Sequence, residues 1–192
     1  MKYHIKFYLY QIQMLEIKSV WDLLSMTVLI THPYALYEFL VFLKSDMLIG
    51  LSVVQMFEKF GKYMTKSLYD PIFKRPDAAN NCNLLNSGGK CGHLCGFPSG
   101  HTSSITFFMN ALMFRNHSEI TLETFVKYNI LPFLVGVSRY MKSCHNMIQI
   151  VCGYLLALVI SLMLYRTNYR ITYQQDDTNK EKFTRSTPNP KT

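Results

Sequence analysis

Nearly twenty consecutive residues, Met147 to Tyr165, carry no formal charge. A helix of about 20 residues, rising about 1.5 Å per residue, crosses the hydrocarbon of a bilayer, so this run reads as a membrane span rather than a buried core helix. The mean hydropathy of the chain is near zero, although 49% of its 192 residues are hydrophobic. That average hides segregation: residues 167–192 are almost entirely polar and read as a disordered or loosely attached tail. The length allows one compact domain. A net charge of +8 raises the question of nucleic acid. The basic residues are dispersed among apolar segments rather than interleaved with aromatics along a stripe, which argues against a nucleic-acid partner.

In chain order, residues 1–18 mix aromatic and aliphatic side chains with Lys2, Lys6, Glu16 and Lys18. Charge breaks the apolar stretch and no small-residue cleavage site follows, so an interfacial amphipathic helix is expected rather than a signal peptide. Val20 to Leu43 is mainly apolar, and Thr31-His32-Pro33 either kinks one span there or turns the chain between parts of two. Met47 to Lys66 reads as a helix that is apolar first and charged later, with Glu58 and Lys62 in a favourable i,i+4 register. His101 to Phe114 and Thr121 to Val137, the latter expected to kink at Pro132, form a helix hairpin. The expectation is an all-α, membrane-embedded helical bundle of about five or six spans. Its parts are N-terminal membrane-associated helices (1–46), a core (47–166) and a polar C-terminal tail (167–192).

The segment from Lys74 to Ser104 stands apart, being rich in Gly, Asn and Cys, and it ends in Pro98-Ser99-Gly100-His101 at the head of an apolar run. Proline suits a first helical position, and glycine admits a ligand close to the backbone. The unpaired N–H groups of the first turn then favour an anion. Lys74 and Arg75 add positive charge at the start of the loop, and a guanidinium grips phosphate through two bonds. A further cluster, Ser138-Arg139 with His145, falls where one apolar segment ends and the next begins. An even number of crossings separates it from His101, so all these groups meet at one side of the bundle.

Taken together, Arg75-Pro76, Pro98 to His101, and Ser138, Arg139 and His145 resemble, in order and spacing, the pattern K-x6-R-P, P-S-G-H, S-R-x5-H-x3-D of the type 2 phosphatidic acid phosphatase superfamily. That superfamily includes lipid phosphatases, polyprenyl diphosphatases, glucose-6-phosphatases and vanadium haloperoxidases, and the likeness covers roughly residues 45–166. It implies a phosphatase core in which neutral His145 attacks phosphorus to give a phosphohistidine. His101 then protonates the leaving oxygen and later activates water. Arg75, Arg139, a lysine, the Ser99 hydroxyl and the N–H groups of Ser99 and Gly100 meet the phosphate charge, with Ser138 beside them. The resemblance implies no metal and no other cofactor.

Two positions depart from the pattern. Leu68 stands where the leading lysine belongs, leaving Lys66 and Lys74 as the candidates, with Lys66 preferred. Gln149 stands where the pattern has Asp; it can accept a hydrogen bond from His145 and hold one tautomer, but supplies no charge. Cys82, Cys91 and Cys95 share the long loop with His93. A disulfide within that loop is the preferred reading, over a zinc site or free thiols. Cys144 adjoins His145, and Cys152 reads as helix packing. Six basic against three acidic residues beyond Tyr165 put the tail in the cytoplasm and the site on the lumenal or extracytoplasmic side of a multi-pass protein. On that topology the sequon at Asn116 is cytoplasmic and silent.

The expected function is hydrolysis of a lipid phosphate or polyprenyl diphosphate at the bilayer. An alternative is a weakened member acting as a membrane scaffold or lipid binder, for which Gln149 is the main support. A third reading is a small-molecule phosphatase of the glucose-6-phosphatase kind.

Overall fold

A computed structural model describes residues 19–42, 45–68, 72–79, 82, 96–117 and 119–165. The expected interfacial helix at 1–18, the loop residues Cys91, His93 and Cys95, and the polar tail lie outside these residues. Helix α1 (Val20–Met26) begins at a capping box in which Ser19 accepts from the Asp22 N–H while the Asp22 carboxylate accepts from the Ser19 N–H. A 3-10 turn (Thr27–Ile30) runs on into α2 (Thr31–Phe42). Next come α3 (Asp46–Thr65), α4 (Gly100–Asn116) and α5 (Leu122–Met141). The last helix, α6, spans Met147–Tyr165. The architecture is all-α, with no strand among the described residues.

The His32-Pro33 step bends the chain without turning it. Pro33 has no N–H for the carbonyl four residues earlier, and the backbone tightens into the 3-10 turn just ahead of it. His32 then reaches Gln55 of α3 across 2.6 Å.

Helix α4 is the axis of the molecule. Its buried residues, among them Thr102, Ile105, Thr106, Phe107, Asn110 and Met113, lie all round its circumference. A helix buried on every side needs neighbours on every side. It packs most extensively against α5, then α3, and also touches α2 and the 3-10 turn, while α1 packs on α5. The expected hairpin is therefore present as α4 and α5. Halfway along, Asn110 and Asn129 bond to each other across 3.4 Å, and the Tyr154 hydroxyl donates to Asn129 Oδ1 at 2.8 Å, joining α4, α5 and α6. At the far end Phe114 stacks on Tyr165, with ring centroids 4.6 Å apart. There Arg115 pairs with Glu38 and, at 3.6 Å, with Asp46.

The count of five or six spans is not reproduced. Among the described helices, α6 is the one long and apolar enough by composition to cross a membrane. The physical reason is visible in the other helices. Glu58, Lys59 and Lys62 charge α3, while Glu123, Lys127 and Arg139 charge α5. The central α4 is rich in Ser and Thr. The outer surfaces of α3 and α5 are nonetheless apolar: Phe60 is 58% and Phe133 67% exposed.

Candidate active site

The site is built on the corner between α5 and α6. Helix α5 ends at Lys142, and Ser143 takes the left-handed conformation with φ 52°. That reversal folds the next two N–H groups back onto one carbonyl: those of Cys144 and His145 donate to Arg139 O at 2.9 and 3.3 Å. His145 is thereby anchored to the end of the helix that carries Arg139. Asn146 then starts α6 as its cap, accepting from the Gln149 N–H at 2.9 Å and donating to Ile72 O at 3.1 Å.

Gln149, fully buried, ties all three motif segments together. Its Nε2 donates to Ile72 O at 2.8 Å and Lys74 O at 2.7 Å, clamping the segment that leads into Arg75. Its own carbonyl accepts from the Ser99 N–H at 3.0 Å. Its Oε1 lies 3.0 Å from His145 Nδ1. Because the amide nitrogen faces two carbonyls, which only accept, the amide orientation is determined, and His145 Nδ1 must be the donor to Oε1. The lone pair of a neutral His145 is then on Nε2. Burial, followed by the charges of Arg139, Arg75 and Lys62, holds the His145 pKa well below the ordinary histidine value, with the Gln149 bond opposing them. Helix α6 lies against the Ser99 backbone at Gly153, where any Cβ would come within 2.6 Å of Ser99 O.

Arg139 is fully buried; Nη1 donates to Ser25 Oγ at 2.6 Å, Nη2 donates to Cys82 O, and Nε has no hydrogen-bond partner. His101, in the first turn of α4, is within electrostatic reach of Arg139, His145, Lys62 and Arg75, and its Nε2 is buried without a partner. The two histidines and three cations thus share one region, and the geometry suits attack on an anionic centre.

Several expected residues are used differently. The lysine acting on both histidines is Lys62, whereas Lys66 and Lys74 are exposed and Lys74 contributes its carbonyl to Gln149. One helical turn before Lys66 on α3, Lys62 lies on the side facing the site. The Ser138 hydroxyl donates to Val135 O at 2.7 Å within its own helix. Ser99 pairs through Oγ with Thr102 Oγ1 at 3.0 Å, and its N–H is engaged by Gln149, so the N–H groups left for an anion are those of Gly100 and the residues after it. At Gly100 a Cβ would overlap the carboxyl group of Glu58, which is ion-paired with Lys62, so the glycine lets that carboxylate lie against the start of α4.

The disulfide expectation is corrected as well. Cys82 is bonded to Cys144, 62 residues away, and not within its own loop, which also removes Cys82 from any zinc set. The bond places the Cys82 carbonyl on Arg139, and beside it Lys142 pairs with Asp22 of α1 at 2.7 Å. Sequence reasoning missed Glu58, Lys62, Ser25 and Asn146. The i,i+4 register of Glu58 with Lys62 was visible, but nothing in the spacing tied the pair to the site. Asn146 ahead of an apolar run was a legible cap signal. Nothing local marks Ser25, which lies 114 residues from Arg139 in sequence.

The family model described as PAP2 superfamily matches residues 47–173 of this chain. A PA-phosphatase related-family protein of Dictyostelium discoideum is 30% identical over 94 residues, covering 44% of this chain and 28% of the relative. The chain thus spans under a third of the length of that curated relative. No solved structure matches.

Proposed function

This chain belongs to the PAP2 superfamily, and from that premise we propose that it is a phosphatase, hydrolysing a lipid phosphate or polyprenyl diphosphate at a membrane through a phosphohistidine. The observation that carries the reading is the Gln149 amide, which directs the lone pair of a neutral His145 to Nε2 beside Arg75, Arg139 and Lys62. In the first step His145 Nε2 forms a bond to phosphorus as the bond to the leaving oxygen breaks, and that oxygen takes a proton from protonated His101. In the second, neutral His101 removes a proton from water, the water oxygen bonds to phosphorus, and the bond to Nε2 breaks to release phosphate. The cations and the N–H groups at the start of α4 stabilise the charge on the equatorial oxygens, and nothing in this scheme calls for a cofactor.

The lipid setting is supported by α6 and by the apolar outer surface of the other helices, which water does not favour. A site at one end of such a bundle can receive a phosphorylated headgroup while its tail stays in the bilayer.

The test is phosphate release by the detergent-purified chain from phosphatidate, polyprenyl diphosphate and glucose 6-phosphate, with and without EDTA. Release is expected from an amphiphile, unchanged by EDTA, and reduced at least about 10³-fold in His145→Ala. Equal release from glucose 6-phosphate points to a water-soluble substrate. No release above the His145→Ala background from any substrate, in folded protein, transfers the assignment to a membrane scaffold or lipid binder.

A further inference from the structure

The reaction above makes no use of Glu58, yet its carboxyl group abuts the Cα of Gly100, at the start of α4 where the first-turn N–H groups attract an anion. The same carboxylate is ion-paired with Lys62 and acts electrostatically on Arg75. It is largely shielded from solvent, its side chain being 15% exposed. Beside it are Lys62, Arg75 and the first turn of α4, which carries His101, whose Nε2 is buried with no partner. Three clustered cations without an anion repel one another in a partly buried site, so an internal carboxylate stabilises the ligand-free state.

We propose that Glu58 is a resident stand-in for the substrate's phosphoryl group, holding the anion position until a phosphoryl dianion displaces it. This rests on the phosphatase reading. Glutamate suits the task because its flexible side chain can leave the cradle by rotation while its backbone stays in α3. The displacement also selects among ligands. A phosphate monoester brings two negative charges and replaces one carboxylate charge with gain. A phosphodiester brings one charge and gains nothing over the group already present. Glu58 is thus a specificity-determining residue that favours monoester dianions over diester monoanions.

The experiment is calorimetric titration of the full-length chain in detergent with inorganic phosphate, a short-chain phosphatidate and dimethyl phosphate, using wild type, Glu58→Gln, Glu58→Asp and Arg75→Ala. Glu58→Gln is expected to bind inorganic phosphate at least about tenfold more tightly than wild type, because it removes a like charge from the cradle. It is also expected to gain binding of dimethyl phosphate. Glu58→Asp, its carboxyl withdrawn by one methylene, falls between the two and carries the comparison if the Gln variant does not fold. Phosphate and phosphatidate should gain alike, since the phosphoryl group is what they share; a gain for the lipid alone overturns the proposal.

The two readings fail differently. Binding in wild type that is lost in Arg75→Ala but unchanged or weakened in Glu58→Gln removes the role of Glu58 and leaves the cradle standing. No phosphate binding by folded wild type or folded Glu58→Gln removes both.

Discussion

At position 149 aspartate and glutamine differ in more than charge. The pattern's Asp would accept from His145, but it has no N–H to give the carbonyls of Ile72 and Lys74, which Gln149 Nε2 engages at 2.8 and 2.7 Å. Substituting Asp therefore leaves two carbonyl oxygens facing a carboxylate. Gln149→Asp is expected to lower stability by about 1–3 kcal/mol and to reduce turnover rather than raise it. It should also shift the pH profile. A carboxylate beside His145 favours the imidazolium and raises its pKa, so the neutral nucleophile forms only at higher pH, and the acid limb of kcat/KM moves up. Melting temperature and the kcat/KM profile of the variant check both outcomes. The residue's importance was legible in the sequence, but its double use was not, because side-chain spacing says nothing about which backbone carbonyls a loop will bring alongside.

Among the elements, the corner between α5 and α6 depends on a tie from outside either helix. The bond from Cys82 to Cys144 brings the 72–82 segment against the end of α5 and sets the Cys82 carbonyl on Arg139. Cys82→Ser is expected to cost about 2–5 kcal/mol and to loosen Arg139; with Arg139 holding phosphate as proposed, KM then rises more than kcat falls. Unfolding in graded denaturant and steady-state kinetics with the same substrate measure the two effects. The hairpin of α4 and α5 was readable from apolar runs separated by a short polar turn, and the corner from Ser138-Arg139 and His145. Cysteine pairing was not, since five cysteines in a sequence allow several connectivities and only proximity in space selects one. Lys62 acts on both histidines from one face of α3, a proximity that spacing along the chain does not reveal.

For the molecule as a whole, the two ends of the bundle are chemically distinct. His101 and His145 lie at the starts of α4 and α6, while Asn116 ends α4 and Tyr165 ends α6 beside Phe114. With α4 about 25 Å long, a bilayer around the bundle would put the site and the polar tail on opposite sides. On the topology read from charge, a protease site appended to the C-terminus is expected to be cut from the cytoplasm, with Asn116 carrying no glycan. Cleavage only after permeabilisation, or a mass shift on glycosidase treatment, would reverse that orientation. The apolar runs made the helical class legible, but the number of spans was not, because α3 and α5 carry charges that lower their hydropathy while their outer faces remain apolar. One feature of the core also bears on motion. Helices α4 and α6 are joined at the site by the Ser99 to Gln149 backbone bond and at the far end by Phe114 on Tyr165, and α5 joins them halfway down through Asn110, Asn129 and Tyr154. A body fastened at three heights resists hinging, and α3 is held to it by close contact of Gly50 with Phe107 and of Gly61 with Pro98, so the frame around both histidines is expected to keep its shape whether or not a substrate is present.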